Sequence, residues 1–116
     1  MGRVGWVLVV NRFRVAEEDA EAFRLELMAA HEALAQRPGY VDGTVGRNVD
    51  DPSLWILHTR WENVGSYRRA LSAYDVKVTA VPLLSQAIDE PSAYELVGDE
   101  VLNEALPRVL GGRAAD

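Results

Sequence analysis

The sequence predicts a small α+β domain in which four antiparallel strands form a sheet and two helices cover one of its faces. The hydrophobic pattern switches between a period of two and a period of three to four, in the order strand, helix, strand, strand, helix, strand. At 116 residues the chain has room for one domain with one core. Its 48% hydrophobic and 26% charged residues are typical of a globular protein.

The first two elements are a strand and an amphipathic helix. Residues 5–15 are rich in Val, Phe and Trp, which favour strands. Alternation gives this strand one face with Val7, Val9, Asn11 and Phe13 and an opposite face with Trp6, Leu8, Val10 and Arg12. Across residues 16–37 apolar side chains recur at steps of three and four, which predicts a helix that ends before Pro38 and Gly39.

A hairpin follows the first helix. Residues 40–47 predict a weaker strand, loosened by Gly43 and Gly46, and residues 48–52 predict a turn. Residues 53–62 predict the clearest strand of the chain. One face of this strand carries Trp55, Leu57, Thr59 and Trp61, and the other carries Leu54, Ile56, His58 and Arg60.

The second helix and the last strand complete the pattern. Asn63 is a good helix N-cap, because its side-chain oxygen can accept from free amides of the first turn. The apolar stripe that follows consists of Tyr67, Leu71, Tyr74, Val78 and Val81. Pro82 ends this helix, so residues 82–88 predict a separate short turn of helix. Residues 93–97 predict the last strand; residues 1–97 then form the domain, and residues 98–116 form a tail with a short helix over residues 101–110.

This order of elements is that of the ferredoxin-like fold, in which both helices lie on one face of the sheet. The first and third strands carry apolar side chains on both faces, but two helices cover only one. The uncovered face exposes more apolar surface than a monomer usually tolerates. We therefore expect a homodimer that forms through this sheet face.

Composition excludes several classes of function. A net charge of −6 opposes binding to nucleic acid, which requires clustered Lys and Arg. The absence of cysteine excludes disulfides, thiolate metal sites and cysteine nucleophiles, and no metal-binding motif is present. The longest apolar run, near the start of the chain, is far shorter than the roughly 20 residues of a membrane helix. We expect a cytoplasmic protein whose partners are a second copy of itself and a small-molecule ligand.

Two segments resemble a known family. Residues 38–41 (PGYV) and residues 56–63 (ILHTRWEN) are similar to the core signature of antibiotic biosynthesis monooxygenase domains, and the resemblance spans about residues 7–97. It implies a dimeric α/β barrel. It also implies an activity, since some members oxidise aromatic polyketides without metal or flavin.

One branch of that family degrades haem with an Asn on the first strand and a Trp and a His on the second helix. Asn11 lies where this branch has its Asn, but Ala70 and Ala80 stand at or near the positions of the Trp and the His. The second helix contains neither His nor Cys to serve as an axial ligand. Haem binding or degradation is therefore the weakest hypothesis, and we expect any bound haem to be held weakly and left intact.

Two polar residues in the strands are candidates for catalysis. Asn11 is a polar residue among Val and Phe. It either orients a ligand or is a hydrogen-bonded amide of the core. His58 can exchange a proton near neutral pH, or it can be a histidine of the dimer face bonded to a carboxylate. His31 lies in the apolar stripe of the first helix, which predicts a core histidine bonded to backbone.

The aromatic side chains Trp61, Tyr40, Tyr67 and Tyr74 are candidates for substrate binding, because they could line a pocket for a flat molecule; core packing is the alternative. Arg60, Arg68 and Arg69 are either exposed charges or a binding site for a carboxylate or phenolate.

The first functional hypothesis is a cofactor-independent monooxygenase that acts on a small aromatic or polyketide-like substrate in a pocket between sheet and helices. Asn11 orients an enolate or oxygen intermediate, and His58 or a tyrosine moves the proton. The alternative is a non-catalytic dimeric binding protein that holds an apolar small ligand in the same pocket.

Overall fold

An antiparallel sheet of four strands forms the centre of the molecule. The computed structural model describes residues 6–98. The strands are β1 (Val7–Arg14), β2 (Tyr40–Arg47), β3 (Leu54–Trp61) and β4 (Ala93–Glu95), in the order β2-β3-β1-β4. A 3₁₀ turn (Glu17–Asp19) precedes α1 (Ala20–Ala35), and α2 (Val64–Ser72), α3 (Tyr74–Thr79) and α4 (Val81–Leu84) follow β3. The predicted ferredoxin-like fold is confirmed.

The pairing of β1 with β3 determines which side chains share a face. The register runs from Val7 opposite Trp61 to Arg14 opposite Leu54. We call the face covered by the helices the inner face and the opposite one the outer face. The inner face of these two strands is buried, except at Asn11, and packs on Phe23, Leu27, Ala30 and Leu34 of α1. The alternation predicted for both strands is therefore confirmed.

The region after β3 differs from its prediction, because one residue interrupts the helix. Ala73 is extended, with ψ of 144°, and separates α2 from α3. This break changes the phase of the helix, so that Val76 is buried while Tyr74 is 82% exposed and Val78 is 57% exposed. The prediction that Tyr74 and Val78 belong to the buried stripe is wrong. Pro82 lies in the first turn of the short helix α4, where a missing amide hydrogen costs little.

The outer face carries apolar side chains between charged pairs. Trp6, Leu8, Val10, Leu54 and Ile56 are half-buried there, and no helix of residues 6–98 packs over them. Two arginines of this face make bidentate ion pairs, Arg12 with Glu90 at 2.7 and 2.8 Å and Arg60 with Asp42.

Among residues 6–98, no helix is long and apolar enough to cross a membrane. The tail from residue 99 onward, with the predicted helix over residues 101–110, lies outside the described residues.

The cap of α2 gives a test of how this helix is held. The side-chain oxygen of Asn63 accepts a hydrogen bond from the amide of Ser66 at 2.8 Å, as its sequence position predicts. Asn63→Ala should lower the free energy of unfolding by about 1 kcal/mol in urea denaturation. Asn63→Ser is the matched control, because serine also caps helices and should retain most of the stability. Equal losses in both variants would contradict the capping role.

Candidate functional site

Three aromatic side chains form a continuous row on the inner face. The rings of Tyr40 and Trp61 pack edge to face with centroids 5.5 Å apart, and those of Trp61 and Tyr67 lie 5.6 Å apart. Trp61 is fully buried, whereas Tyr40 and Tyr67 are half-buried. This aromatic row (Tyr40, Trp61, Tyr67) extends from β2 across β3 to α2. It joins three of the four aromatic residues that the sequence proposes for substrate binding.

A bulge in β2 turns Tyr40 toward the inner face. Residues two apart in a regular strand share a face. The pairing shifts between Tyr40 and Asp42, so Tyr40 lies opposite Trp61 on the inner face while Asp42 lies opposite Arg60 on the outer face. Bulges commonly re-aim a side chain in this way. The row therefore depends on an irregularity that the hydrophobic pattern does not show.

The turn before β2 brings α2 close to the row. Gly39 has φ of 92°, in the left-handed region that favours glycine. A Cβ atom at Gly39 would collide with the side chain of Ser66 on α2. The carbonyl of Gly39 also accepts from the amide of Glu62 at 2.8 Å, which holds the turn against the end of β3. Glycine at this position thus permits the approach of the helix that carries Tyr67.

Hydrogen bonds fix two members of the row. The indole nitrogen of Trp61 donates to the hydroxyl of Thr59 at 2.9 Å, with both residues buried. Burial raises the pKa of Tyr67, and its hydrogen bond with Ser92 acts in the opposite direction. The orientation of the indole is therefore set within β3 itself.

The third member, Tyr40, is paired with a histidine. Nε2 of His31, on α1, lies 2.6 Å from the hydroxyl oxygen of Tyr40, and both side chains are half-buried. The sequence indicates backbone as the partner of His31, and this is wrong, because the partner is a side-chain hydroxyl. The turn at residues 38–39 returns the chain alongside the end of α1, and this proximity depends on tertiary structure.

Electrostatics keep the His31–Tyr40 pair uncharged. Burial lowers the pKa of His31; His58 lowers it further, and Glu32 acts in the opposite direction. Burial also raises the pKa of Tyr40, and the nearby carboxylates of Asp42 and Glu32 add to this effect. Both shifts favour the neutral forms, so the hydrogen bond joins a neutral imidazole and a protonated phenol.

Asn11 and His58, the two candidate catalytic residues, lie on opposite faces of the sheet. Asn11 is on the inner face opposite Leu57, and His58 is on the outer face opposite Val10. Asn11 is half-buried, and its side chain makes no hydrogen bond to another of residues 6–98. Since β-strands rise about 3.3 Å per residue, Asn11 lies about 13 Å along β1 from the position opposite Trp61. Val9, which lies between these two positions, is buried in the core.

The arginines do not form one site. Arg60 is bonded to Asp42 on the outer face and lies over the ring of Trp6, whereas Arg69 on α2 donates to Ser66 at 3.4 Å. Arg68 lines a cavity of about 350 Å³ between the start of α2 and the β1–β4 pair. The cavity also contacts Val7, which is the strand partner of Trp61. None of Tyr40, Trp61 and Tyr67 lines this cavity.

Tyr74 lies apart from the row, and buried alanines occupy the haem positions. Tyr74 is mostly in solvent on α3 and does not join the other three aromatic residues. Ala70 and Ala80, which replace the Trp and the His of the haem-degrading branch, are 2% and 0% exposed and belong to the core. The residues present do not fit haem degradation. The part of the chain that the structure describes has no group of His, Asp or Glu side chains arranged to hold a metal ion.

The fold is that of a ferredoxin-like protein, and its inner face carries an aromatic row that ends in the His31–Tyr40 hydrogen bond. The model of the antibiotic biosynthesis monooxygenase family matches residues 6–80. The chain belongs to this family, as the two sequence segments predict.

Solved structures agree with the family assignment. A variant of SnoaB, a cofactor-independent oxygenase from Streptomyces nogalater, is 25% identical with a TM-score of 0.68, over 85% of this chain and 98% of that one. A Deinococcus radiodurans protein assigned to the antibiotic biosynthesis monooxygenases is 20% identical with a TM-score of 0.67, over 83% and 97% of the two chains. A conserved protein from Methanosarcina mazei is 22% identical with a TM-score of 0.65, over 78% and 91%. No curated protein matches the chain.

The lowered pKa of His31 predicts a dependence of stability on pH. Above its ordinary pKa of 6.5, His31 is neutral in both the folded and the unfolded chain and has no effect. As the pH falls through this value, the unfolded chain binds the proton first, so the folded state loses stability until its own lower pKa is passed. Urea denaturation from about pH 7.5 to about pH 5 should show a smaller loss for His31→Gln than for the wild type. If the free energy of unfolding depended on pH equally in the two proteins, the lowered pKa of His31 would be contradicted.

Proposed function

We propose that the protein is a cofactor-independent monooxygenase that acts on a small aromatic or polyketide-like substrate bound between the sheet and the helices. The observation that carries this proposal is the aromatic row, which ends in a hydroxyl paired with a histidine. The likeness to SnoaB supports it, since that protein is a cofactor-independent oxygenase and aligns with 85% of this chain.

The row offers what a flat substrate requires. Aromatic walls bind planar rings with little loss of side-chain entropy, and the polar tips of tyrosine fix the orientation of the substrate. Conversion of a ring methylene to a carbonyl consumes one O₂ and releases one water, so this reaction needs no external reductant. The protein must then remove a proton from the substrate and hold the resulting anion close to oxygen.

Asn11 and a tyrosine fit these two tasks. The amide of Asn11, which makes no side-chain hydrogen bond within residues 6–98, can donate to an enolate or to an oxygen intermediate on the inner face. For the proton, the geometry favours a tyrosine over His58, because His58 lies on the outer face. Tyr40 and Tyr67 both stand beside Trp61.

Oxygen uptake with dithranol (1,8-dihydroxyanthrone) in the presence of a metal chelator tests the activity. Asn11→Ala should lower turnover at least about 10-fold, or 1.4 kcal/mol. Its melting temperature should change little, because the amide has no hydrogen bond to lose within residues 6–98.

Asn48→Ala is the matched control. The side chain of Asn48 accepts from the amides of Asp50 and Asp51 at 2.8 Å, far from the row, so its loss should affect stability and leave turnover unchanged. A lower melting temperature with unchanged turnover in Asn11→Ala would remove Asn11 from the site. Dithranol binding without oxygen uptake would favour the non-catalytic binding protein.

We further propose that two copies pair through the outer face. The apolar side chains of this face are half-buried in the single chain, and each further buried Å² of apolar surface contributes roughly 25 cal/mol. The bidentate pairs of Arg12 and Arg60 already neutralise the charges that border these side chains. Burying them therefore leaves few uncompensated charges.

Light scattering tests this assembly. The wild type should show twice the chain mass of 12.8 kDa at micromolar concentration, whereas Ile56→Asp should shift the protein toward the mass of one chain. Leu25→Asp places the same charge at an exposed position of α1 and should leave the mass unchanged. A wild type of single-chain mass would rule the dimer out.

A further inference from the structure

Gly43, on β2, provides the space that the His31–Tyr40 pair occupies. A Cβ atom at this position would lie 2.8 Å from Nε2 of His31, 2.9 Å from the hydroxyl oxygen of Tyr40 and 2.7 Å from the carbonyl oxygen of His58. All three distances are shorter than a normal contact of a carbon atom. Any other residue at Gly43 would displace the pair, so the hydrogen bond depends on the missing side chain.

The hydroxyl of Tyr40 lies against His31, and its ring packs on the aromatic row. Its oxygen lies 2.6 Å from Nε2 of His31, while its ring packs edge to face on Trp61. A phenol oxygen can accept a hydrogen bond while it donates one. Because Tyr40 and His31 are only half-buried, a hydroxyl of a bound molecule can approach the same oxygen.

We propose that His31 and Tyr40 form a proton-transfer pair that ionises a phenolic or enolic substrate. The O–H bond of the substrate breaks and a new O–H bond forms on Tyr40. At the same time, the original proton of Tyr40 leaves for Nε2 of His31. The products are a substrate anion and an imidazolium, with Gly43 as the positioning residue. This inference rests on the proposed function and names the substrate class of the same site.

The charged groups around the pair suit a transfer in which tyrosine stays protonated. The carboxylate of Glu32, next to His31 on α1, favours the imidazolium once it forms. Asp42 on β2 and Glu32 both disfavour a tyrosinate at Tyr40, so the hydroxyl passes a proton on without holding a negative charge. His58 on β3 acts against the imidazolium. Glu32 therefore favours the imidazolium and, together with Asp42, opposes a tyrosinate intermediate, whereas burial acts against the imidazolium.

Nitrogen-15 NMR of the histidines in the full chain, with dithranol added under anaerobic conditions, tests the transfer without turnover. At neutral pH His31 should be neutral in the free protein and become an imidazolium when dithranol binds. Tyr40→Phe keeps the ring but removes the relay, so His31 should stay neutral with dithranol bound. Gly43→Ala should behave in the same way.

Gly46→Ala is the matched control on the same strand. A Cβ atom there meets only the flexible side chain of Ile56, at 3.2 Å, so the response of His31 should be retained. If Gly43→Ala fails to fold, Tyr40→Phe still tests the proton transfer. Bound dithranol with a neutral His31 in the wild type would overturn the inference alone. Absence of dithranol binding would count against both the inference and the proposed function, so the two failures are distinguishable.

Turnover gives the second measurement. General base catalysis typically contributes at least about 100-fold, so Tyr40→Phe should lower kcat by about that factor with little change in KM. Unchanged kcat in Tyr40→Phe would overturn the proposal.

Discussion

The pairing of β1 with β3 is the constraint on which the rest of the molecule depends. These central strands carry large side chains on both faces, and a slip of one residue would exchange the faces completely. With Val7 opposite Trp61, the indole and the hydroxyl that orients it lie under the helices, while His58 lies on the far side. The register therefore decides which polar groups can meet a ligand and which can meet a second subunit.

Much of this arrangement could be predicted from sequence, because β-branched and aromatic residues indicate strands at β1 and β3 and side chains alternate between the faces of any strand. The start of α2 could also be predicted, because Asn63 caps this helix through a local interaction. The phase of α3 could not be predicted. Ala73 is a residue that favours helices, so nothing in its identity indicates an extended conformation, and Tyr74 was placed on the wrong face as a result. Local signals predict local structure, and a helix break caused by packing is not one of them.

The contact between two of the candidate site residues could be predicted for the same reason, while their role in a pocket stays a prediction. Trp61 and Tyr67 are assigned to a pocket by their strand face and helical spacing, and the structure joins them. The partner of His31 could not be found in this way, because its hydrogen bond crosses from α1 to β2. From the sequence, Gly43 indicates only that β2 is a weaker strand. A Cβ atom at this position would lie too close to His31, and this constraint arises only because α1 packs on the sheet.

The bulge in β2 links the two faces of the sheet. It sends Tyr40 inward and Asp42 outward, although a regular strand would place both on one side. Asp42 then binds Arg60 on the outer face, while its carboxylate still raises the pKa of Tyr40 on the inner one. One carboxylate therefore acts on groups of both faces of the sheet.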